Sequence, residues 1–537
     1  MSRLEIASPK RAKIVMEGLY KDLERRIESS PPGLCPVDMA RAFLELCHAQ
    51  TCGKCVPCRI GLGQLNNFIR EVLDGKATMK TLDIMEQTAL SIMESADCAI
   101  GYEAANMVYK GLIGYRDDYI EHIQNGRCTC TYNQPVPCVS LCPAHVDIPG
   151  YVALVGEGRY ADAIRLIRKD NPFPTTCGFI CEHPCEARCR RNMIDDSINI
   201  RGLKRVAADF AGEVDPPQCA PSTGKKIAIL GGGPGGLSAA YYLQLMGHQT
   251  TVYEMLPELG GMLRYGIPNY RLPKERLDDD IRAILKTGVQ VKNGLKIGQD
   301  ITIQELRQQY DVVLITIGAS TDKKLGLENE DADGIISAVQ FLRNVGKNQI
   351  IDLTGKEVVV IGGGNVSMDA VRTAKRLGAK KVSIVYRRRV ADMTALPGEI
   401  EGAVAEGIEL QTLKAPASID VDENHHVKGI YVTPQMVSSI RDGRASIKPT
   451  GEEDIYIPCD VLIVAIGQNI ETHHFEQAGI PVERGKIITK STGAFENLPG
   501  VFAGGDCASG PASVIKAIAA AKVVAANIDE YLGYHHE

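Results

Sequence analysis

The 537-residue chain has no run approaching the ~18 apolar residues of a membrane span. Its first residues, Met1-Ser-Arg-Leu-Glu-Ile6, carry no apolar signal core. An excess of positive charge is also missing. The formal net charge of −6 gives no reason to expect nucleic acid or an anionic membrane as partner. The expectation from these absences is a cytoplasmic protein. Cysteine is scarce over most of the chain: only Cys219, Cys459 and Cys507 lie beyond residue 190, and none belongs to a CxxC pair. A redox-active dithiol in the C-terminal half is therefore not expected. What is present is ordinary for a globular protein in bulk, with 44% hydrophobic and 23% charged residues. The length suits about three or four domains. The exception is the front, which holds 14 of the 17 cysteines before residue 190. In a reducing compartment such density argues for metal rather than disulfides.

The back of the chain is organised around Lys226-Ile-Ala-Ile-Leu-Gly231-Gly-Gly233-Pro234-Gly-Gly236. A short apolar run predicts a buried parallel strand, and the glycines turn tightly into a helix starting near Pro234. A pyrophosphate can approach that bare backbone at the helix N-terminus. Glu254 ends the next strand, where its carboxylate would accept from a ribose 2′-OH and repel a 2′-phosphate, which suits the adenosine of FAD. The motif recurs as Gly362-Gly-Gly364-Asn365-Val-Ser367, with 16 residues from its first glycine to Gly378, as from Gly231 to Gly247. Each copy has a later strand ending in glycine, at Gly318 and at Gly467. The second copy replaces the acid by Tyr386-Arg387-Arg388-Arg389, whose guanidinium groups can pair with a 2′-phosphate. That favours NADP(H) over NAD(H); the bland alternative is a basic, solvated strand end.

Two cysteine fields precede this body. In the first, Cys52, Cys55 and Cys58 are spaced to wrap one corner of a cubane, with Cys98 as the free candidate for the fourth position. Zinc is the alternative, although its sites usually pair two CxxC knuckles. Helix-like segments over about 60–74 and 78–95 lie between. Cys35 and Cys47 read as buried structural thiols. The second field places eight thiols, Cys128, Cys130, Cys138, Cys142, Cys177, Cys181, Cys185 and Cys189, within 62 residues, enough for two four-iron clusters. One helix from Ile148 to Lys169 is expected between its halves. Asp215 to Gly224 reads as a linker, and its Cys219 as inert.

These motifs carry resemblances. Thr51-Cys52-Gly-Lys-Cys55-Val-Pro-Cys58-Arg59 with Cys98 resembles the cluster domain of the NADH-binding subunit of respiratory complex I, and of matching hydrogenase and formate dehydrogenase subunits, over about 45–120. The flavin mononucleotide and NADH domain of that family is absent. From about 125 to 533 the chain resembles the small subunit of NADPH-dependent glutamate synthase, the N-terminus of dihydropyrimidine dehydrogenase, and the large subunit of electron-bifurcating NADH-dependent ferredoxin:NADP oxidoreductase. Asn171-Pro-Phe-Pro174 and Ile198-Asn-Ile-Arg-Gly-Leu203 belong to that likeness, as do Gly260-Gly261-Met262-Leu263 on the flavin side and Val501-Phe-Ala-Gly504-Gly505-Asp506 near the end. The resemblance implies that Asp506 meets the flavin ribityl or pyrophosphate and that a helix starting near Ser513 points at the isoalloxazine. It also implies one cluster on Cys128, Cys130, Cys138 and Cys189, and another on Cys142, Cys181 and Cys185 plus a fourth group. The chain departs from the pattern twice: the first pair is CxC, and a Gln or Glu ligand position is Lys204, so Cys177 is the expected substitute.

The expected fold is an α/β two-dinucleotide-binding flavoprotein with nested Rossmann-like domains, preceded by two small α-helical Fe–S domains. The expected divisions are an arm (1–45), a complex-I-like domain (46–122), a two-cluster domain (123–215), an FAD domain (224–345 and 470–533) and an NADP(H) domain (346–469). The expected cofactors are FAD, NADP(H) and about three [4Fe–4S] clusters. No protein acid–base residue is required, because hydride transfer takes place at the flavin. The extra front domain favours a subunit of a hetero-oligomeric NAD/NADP/ferredoxin transhydrogenase or hydrogenase-type complex, with electron bifurcation as one form of it. Its partners would be an NADH-dehydrogenase-like flavoprotein, a ferredoxin-like subunit or ferredoxin. The alternatives are the electron-input subunit of glutamate synthase and a relay scaffold without nucleotide turnover.

Overall fold

The computed structural model describes residues 35–125, 136–349, 351–441 and 444–534. Most of the expected arm, together with Cys128 and Cys130, lies outside the described residues. The chain divides into two compact units, one of 1–148 with 183–200, the other of 149–182 with 201–537.

The first unit is helical. Pro36–Ala49, Leu62–Leu73, Met79–Ser95, Ala99–Gly114 and Arg116–Asn125 surround a core that includes Phe43, Leu65, Ile69, Leu82, Met85, Val108 and Tyr119. Leu82, Met85, Ala89 and Ile92 recur at the helical period, which buries one stripe of Met79–Ser95. Two helix-like segments were expected here, and both form. Cys47 is a buried structural thiol as expected, whereas Cys35 is only half-buried and lies 3.3 Å from His122 Nε2.

In the second unit, the single helix expected from Ile148 to Lys169 is two, Ile148–Gly156 and Tyr160–Arg168. Gly158, at φ 73°, turns the chain between them, a conformation costly for other residues. Two five-stranded parallel sheets follow. The first runs in the order Val501–Ala503, Val312–Ile315, Lys226–Leu230, Gln249–Glu254, Gln290–Asn293. The second runs Ile335–Ser337, Val461–Val464, Glu357–Ile361, Lys381–Tyr386, Glu409–Thr412.

The sequence repeat is thus a structural repeat. Even the strand entry is shared: Lys226 N donates to the Asp311 carboxylate at 2.8 Å, and Glu357 N to that of Asp460 at 2.7 Å. Ile335–Ser337 and the helix Ala338–Gly346 precede the expected start of the second domain at 346, yet that strand forms an edge of the second sheet. An antiparallel sheet built on Val427–Arg441, which the sequence did not signal, is inserted between Glu409–Thr412 and Val461–Val464. Near the end, Ser513 caps the helix Val514–Tyr531, as expected.

Candidate functional site

The first glycine turn is built for close approach. Gly231 has φ 111°, and a Cβ there would fall 2.5 Å from Thr316 O. A Cβ on Gly236 would fall 1.9 Å from Gly231 O, so only glycine lets the helix Pro234–Leu245 begin this close to the strand. The second expected loop docks on it: Gly260 N donates to Gly232 O at 2.8 Å, and a Cβ on Gly261 would fall 2.8 Å from Gly233 Cα.

A cleft opens over this turn. Gly231, Gly233, Pro234, Glu254, Gly261, Met262, Gly318, Gly505 and Asp506 all line it, joined by Thr316, Ser320 and Arg343. Leu263, also expected at the cofactor, is buried outside the lining, and Gly236 serves the turn rather than the wall. A neighbouring pocket adds Leu295, Ile297 and Phe475 around Glu254. These residues and Arg343 follow no recurring motif, so the sequence did not point to them.

Glu254 is 5% exposed, and its two oxygens accept from Gly232 N at 2.7 Å and Leu256 N at 2.8 Å. Burial raises its carboxyl above the ordinary range, and the backbone donors oppose that. Each oxygen keeps a lone pair for a ribose hydroxyl. Burial pushes Asp506 up to about 6, and its Oδ1 is buried without a partner. Arg343 donates to Ser320 O at 2.5 Å, while its Nε is buried and unpartnered. A buried polar atom without a partner is costly. Both residues line this cleft, and their opposite hydrogen-bonding characters fit a cofactor that bears both hydroxyls and phosphates, as FAD does.

The second copy repeats the geometry with different chemistry. Gly362 has φ 145°, and its Cβ would meet Ala465 O at 2.3 Å and Ser367 Oγ at 2.5 Å. Gly364 caps the helix Asn365–Arg376, and Asn365 Oδ1 accepts from Leu396 N at 2.9 Å. Ser367 Oγ is buried and unpartnered. Gly467, at φ 134°, lies just beyond the strand Val461–Val464. The arginines separate in role. Arg389 is held by Asp392 at 2.8 and 3.0 Å. Arg388 Nε donates to Ala445 O at 3.1 Å, and Arg387 is exposed with no ion pair among the described residues. Guanidinium donors of Arg387 and Arg388 therefore remain for a phosphate. Cys459 and Cys507 are buried thiols pushed up to about 12, so this half holds no reactive dithiol among its described residues.

In the first unit Cys52, Cys55 and Cys98 all lie near Cys58, and together with its burial they push that thiol up to about 12. Cys98 caps the helix Ala99–Gly114, and Cys58 sits in the turn Pro57–Gly61. A Cβ on Gly101 would fall 2.7 Å from Cys58 Sγ, so a glycine makes room for the sulfur. The four expected ligands therefore share one neighbourhood. Among the described residues no three such side chains close to the span of a single metal ion.

Cys138 lies near Cys189 and Cys142, and its helix, Pro137–Leu141, packs on Pro184–Ala187, which carries Cys185. Cys177 and Cys181 belong to the second unit, on and just after the helix Pro174–Ile180. Cys177 is fully buried, hydrogen-bonds Cys181, and lies near buried Lys204, whose ammonium partly offsets the rise that burial and Cys181 impose. Thiols are ligands only as thiolates, and cluster iron supplies the charge that ionises them.

This fold and these sites define a two-dinucleotide flavoprotein with iron–sulfur modules. The pyridine nucleotide-disulphide oxidoreductase family matches residues 225–521, and the chain belongs to it. The NADH-ubiquinone oxidoreductase-F iron-sulfur binding region matches 38–122, and dihydropyrimidine dehydrogenase domain II, a 4Fe-4S cluster domain, matches 114–215. The chain is 32% identical to the NADP(+)-dependent formate dehydrogenase subunit beta of Moorella thermoacetica, over 92% of this chain and 79% of that one. It is 34% identical to the NADPH-Fe(3+) oxidoreductase subunit beta of Geobacter sulfurreducens, over 93% and 79%. It is also 34% identical to the glutamate synthase [NADPH] small chain of Escherichia coli, over 74% and 88%. Among solved structures, FprA from Mycobacterium tuberculosis superposes with TM-score 0.51 at 21% identity, over 58% of this chain and 85% of that one, which shows the shared fold. The protein is an oxidoreductase whose cofactors are FAD, NADP(H) and [4Fe–4S] clusters.

Proposed function

We propose that this chain is the NADP(H)-linked flavoprotein subunit of a hetero-oligomeric redox complex, exchanging hydride with NADP(H) and single electrons with partner subunits. When bound, FAD converts between two-electron and one-electron chemistry, and the clusters carry single electrons. The protein's task is position and polarity. The turn at Gly231 and Glu254 would seat the adenosine diphosphate half, and Asp506 and Arg343 the remainder. The turn at Gly362 with Asn365 and Ser367 would hold the nicotinamide nucleotide's phosphates, and Arg387 and Arg388 would select the 2′-phosphate. The observation that carries the reading is that a basic ribose-reading end and a four-cysteine neighbourhood at Cys58 occur in one chain. The proposed modules remain 46–122, 123–215, the FAD domain and the NADP(H) domain, the last beginning at Ile335 rather than at 346. About three clusters and a cytoplasmic location are part of this proposal.

The finer reading is a complex of the transhydrogenase, hydrogenase or formate dehydrogenase type, with electron bifurcation as one form. Two relatives that cover 92% and 93% of this chain, front module included, are beta subunits of an NADP-dependent formate dehydrogenase and an NADPH-Fe(3+) oxidoreductase. The glutamate synthase small chain covers 74% of this chain, which weakens that alternative. The test is anaerobic purification at native abundance with identification of companions. A companion carrying another redox centre, such as an NADH-binding flavoprotein or a formate- or hydrogen-oxidising subunit, is expected. A large glutamine-hydrolysing companion would overturn the reading in favour of glutamate synthase.

A further inference from the structure

In the second unit, residues 201–210 of the helix Ile200–Phe210 pack on the helix Pro174–Ile180. The approach is close. A Cβ on Gly178 would fall 2.9 Å from Arg205 Cα, and the Arg205 guanidinium lies 4.0 Å from the centre of the Phe179 ring. Lys204, one residue earlier, is 6% exposed, with its ammonium 5.7 Å from the centre of the buried Tyr151 ring and near Cys177. Asn171 reaches the same thiol. It is fully buried, and its Oδ1 lies 3.9 Å from Cys177 Sγ while accepting from Phe173 N at 2.9 Å. That bond fixes the amide, because a nitrogen in its place would face another donor. Asn171 Nδ2 is left buried with no partner among the described residues. The acids of this segment are engaged or solvated: Asp170 bonds Lys522, Asp280 accepts from Thr175 N and Thr176 N and is offset by Arg168, and Glu182 is exposed.

A buried ammonium and a buried amide donor thus surround one thiol. Buried donors without an acceptor are costly, and a thiolate bound to cluster iron is an electron-rich acceptor that a neutral thiol is not. We propose that Lys204 holds up the reduction potential of the cluster that Cys177 serves, through its buried positive charge and not as an iron ligand. This rests on the reading that Cys177 ligates a cluster. One-electron reduction makes and breaks no bond there. It adds one negative charge to the cluster, and the electron comes from the flavin. A fixed cation favours the more negative state, which raises the potential. The segment is tied to the flavin body by Asp170 with Lys522 and by Thr175 and Thr176 with Asp280, so a raised potential makes this cluster a favourable acceptor of the flavin's electron.

The experiment uses the full chain, purified anaerobically with flavin and clusters, in a redox titration followed by electron paramagnetic resonance. The cluster signal that is missing in Cys177→Ala is the one to follow. At the wild-type midpoint, Lys204→Met should lower the ratio of reduced to oxidised cluster about tenfold, which for one electron is about 59 mV. Lys204→Arg should keep the wild-type value, and the other cluster signals should not move. Lys204→Gln, also neutral, gives the same comparison if Lys204→Met does not fold. An unchanged potential in the neutral variant with full iron would overturn the proposal while leaving the cluster reading intact. Loss of one cluster's iron in both neutral variants would make Lys204 a ligand and overturn it as well. Full iron in Cys177→Ala would overturn the reading beneath it, and the proposal with it.

Discussion

Arg387, Arg388 and Arg389 are consecutive but differently employed. Only the third is committed to a carboxylate, Asp392, which its guanidinium holds well below the usual range. Replacing Arg387 or Arg388 by Ala should raise KM for NADPH by roughly 10- to 100-fold, the value of one or two charge-assisted hydrogen bonds, with little change for NADH. Arg389→Ala should leave the ratio of the two KM values unchanged and lower thermal stability instead. Steady-state kinetics with both nucleotides checks this.

Asp280 carries a pH dependence. Full burial pushes its carboxyl up to about 6 against the amide donors of Thr175 and Thr176. A carboxyl raised on folding stabilises the fold fully below its unfolded value, near 3.9, and that contribution is lost as pH rises through about 6. That rise corresponds to about 3 kcal/mol at most. Thermal unfolding should show wild-type stability falling from about pH 4 to about pH 6 and levelling off above about pH 7, and Asp280→Asn should flatten that slope.

Among elements, the glycine turns were the most legible, because their requirement is local. A tight strand-to-helix turn with Gly236 against Gly231 O admits no Cβ, so the residue itself announces the conformation. The break at Gly158 was less legible, since a glycine inside an apolar, helix-like stretch also fits a continuous helix. The strand Ile335–Ser337 was missed because a three-residue edge strand has no periodicity to display. Gly101 shows an element serving a site. It is buried on the helix Ala99–Gly114, and nothing in its local sequence marks the sulfur that a Cβ there would meet. Gly101→Ala should leave the helix intact, since alanine favours it, yet displace Cys58. Iron analysis should then show the loss of one cluster's iron with the flavin retained, and equal iron in variant and wild type would count against the Cys58 site.

At the scale of the whole molecule, the two dinucleotide bodies are joined within one unit by a buried ionic network. Arg271, in the loop after the flavin-side glycines, bonds Asp369 on the helix Asn365–Arg376 at 2.7 and 2.9 Å, and its Nε meets Glu399 at 3.0 Å. Arg372 and Arg376 stack over the ring of Tyr270 from that helix. Arg271 is 10% exposed at its side chain and Asp369 5%. Breaking such a pair from one side leaves a buried charge, so Arg271→Met should cost roughly 3–5 kcal/mol in urea unfolding. Arg271→Met combined with Asp369→Leu should recover much of that loss, and the difference measures the coupling between the two bodies.

The sequence by itself determined the class of chemistry. Glycine spacing, an acid in one copy against arginines in the other, and cysteine spacing are local, because phosphate, ribose and iron each impose their demand within a few residues. Tertiary structure decided what depends on neighbours distant in the chain. It set Arg389 apart from Arg387 and Arg388, put Arg343 into the flavin cleft, kept Leu263 out of its lining, and assigned Cys177 and Cys181 to a different unit from Cys138, Cys142, Cys185 and Cys189. The physical reason is the same in each case. Whether a polar group is free or spent depends on which partner reaches it through space, and that is fixed only when the elements pack.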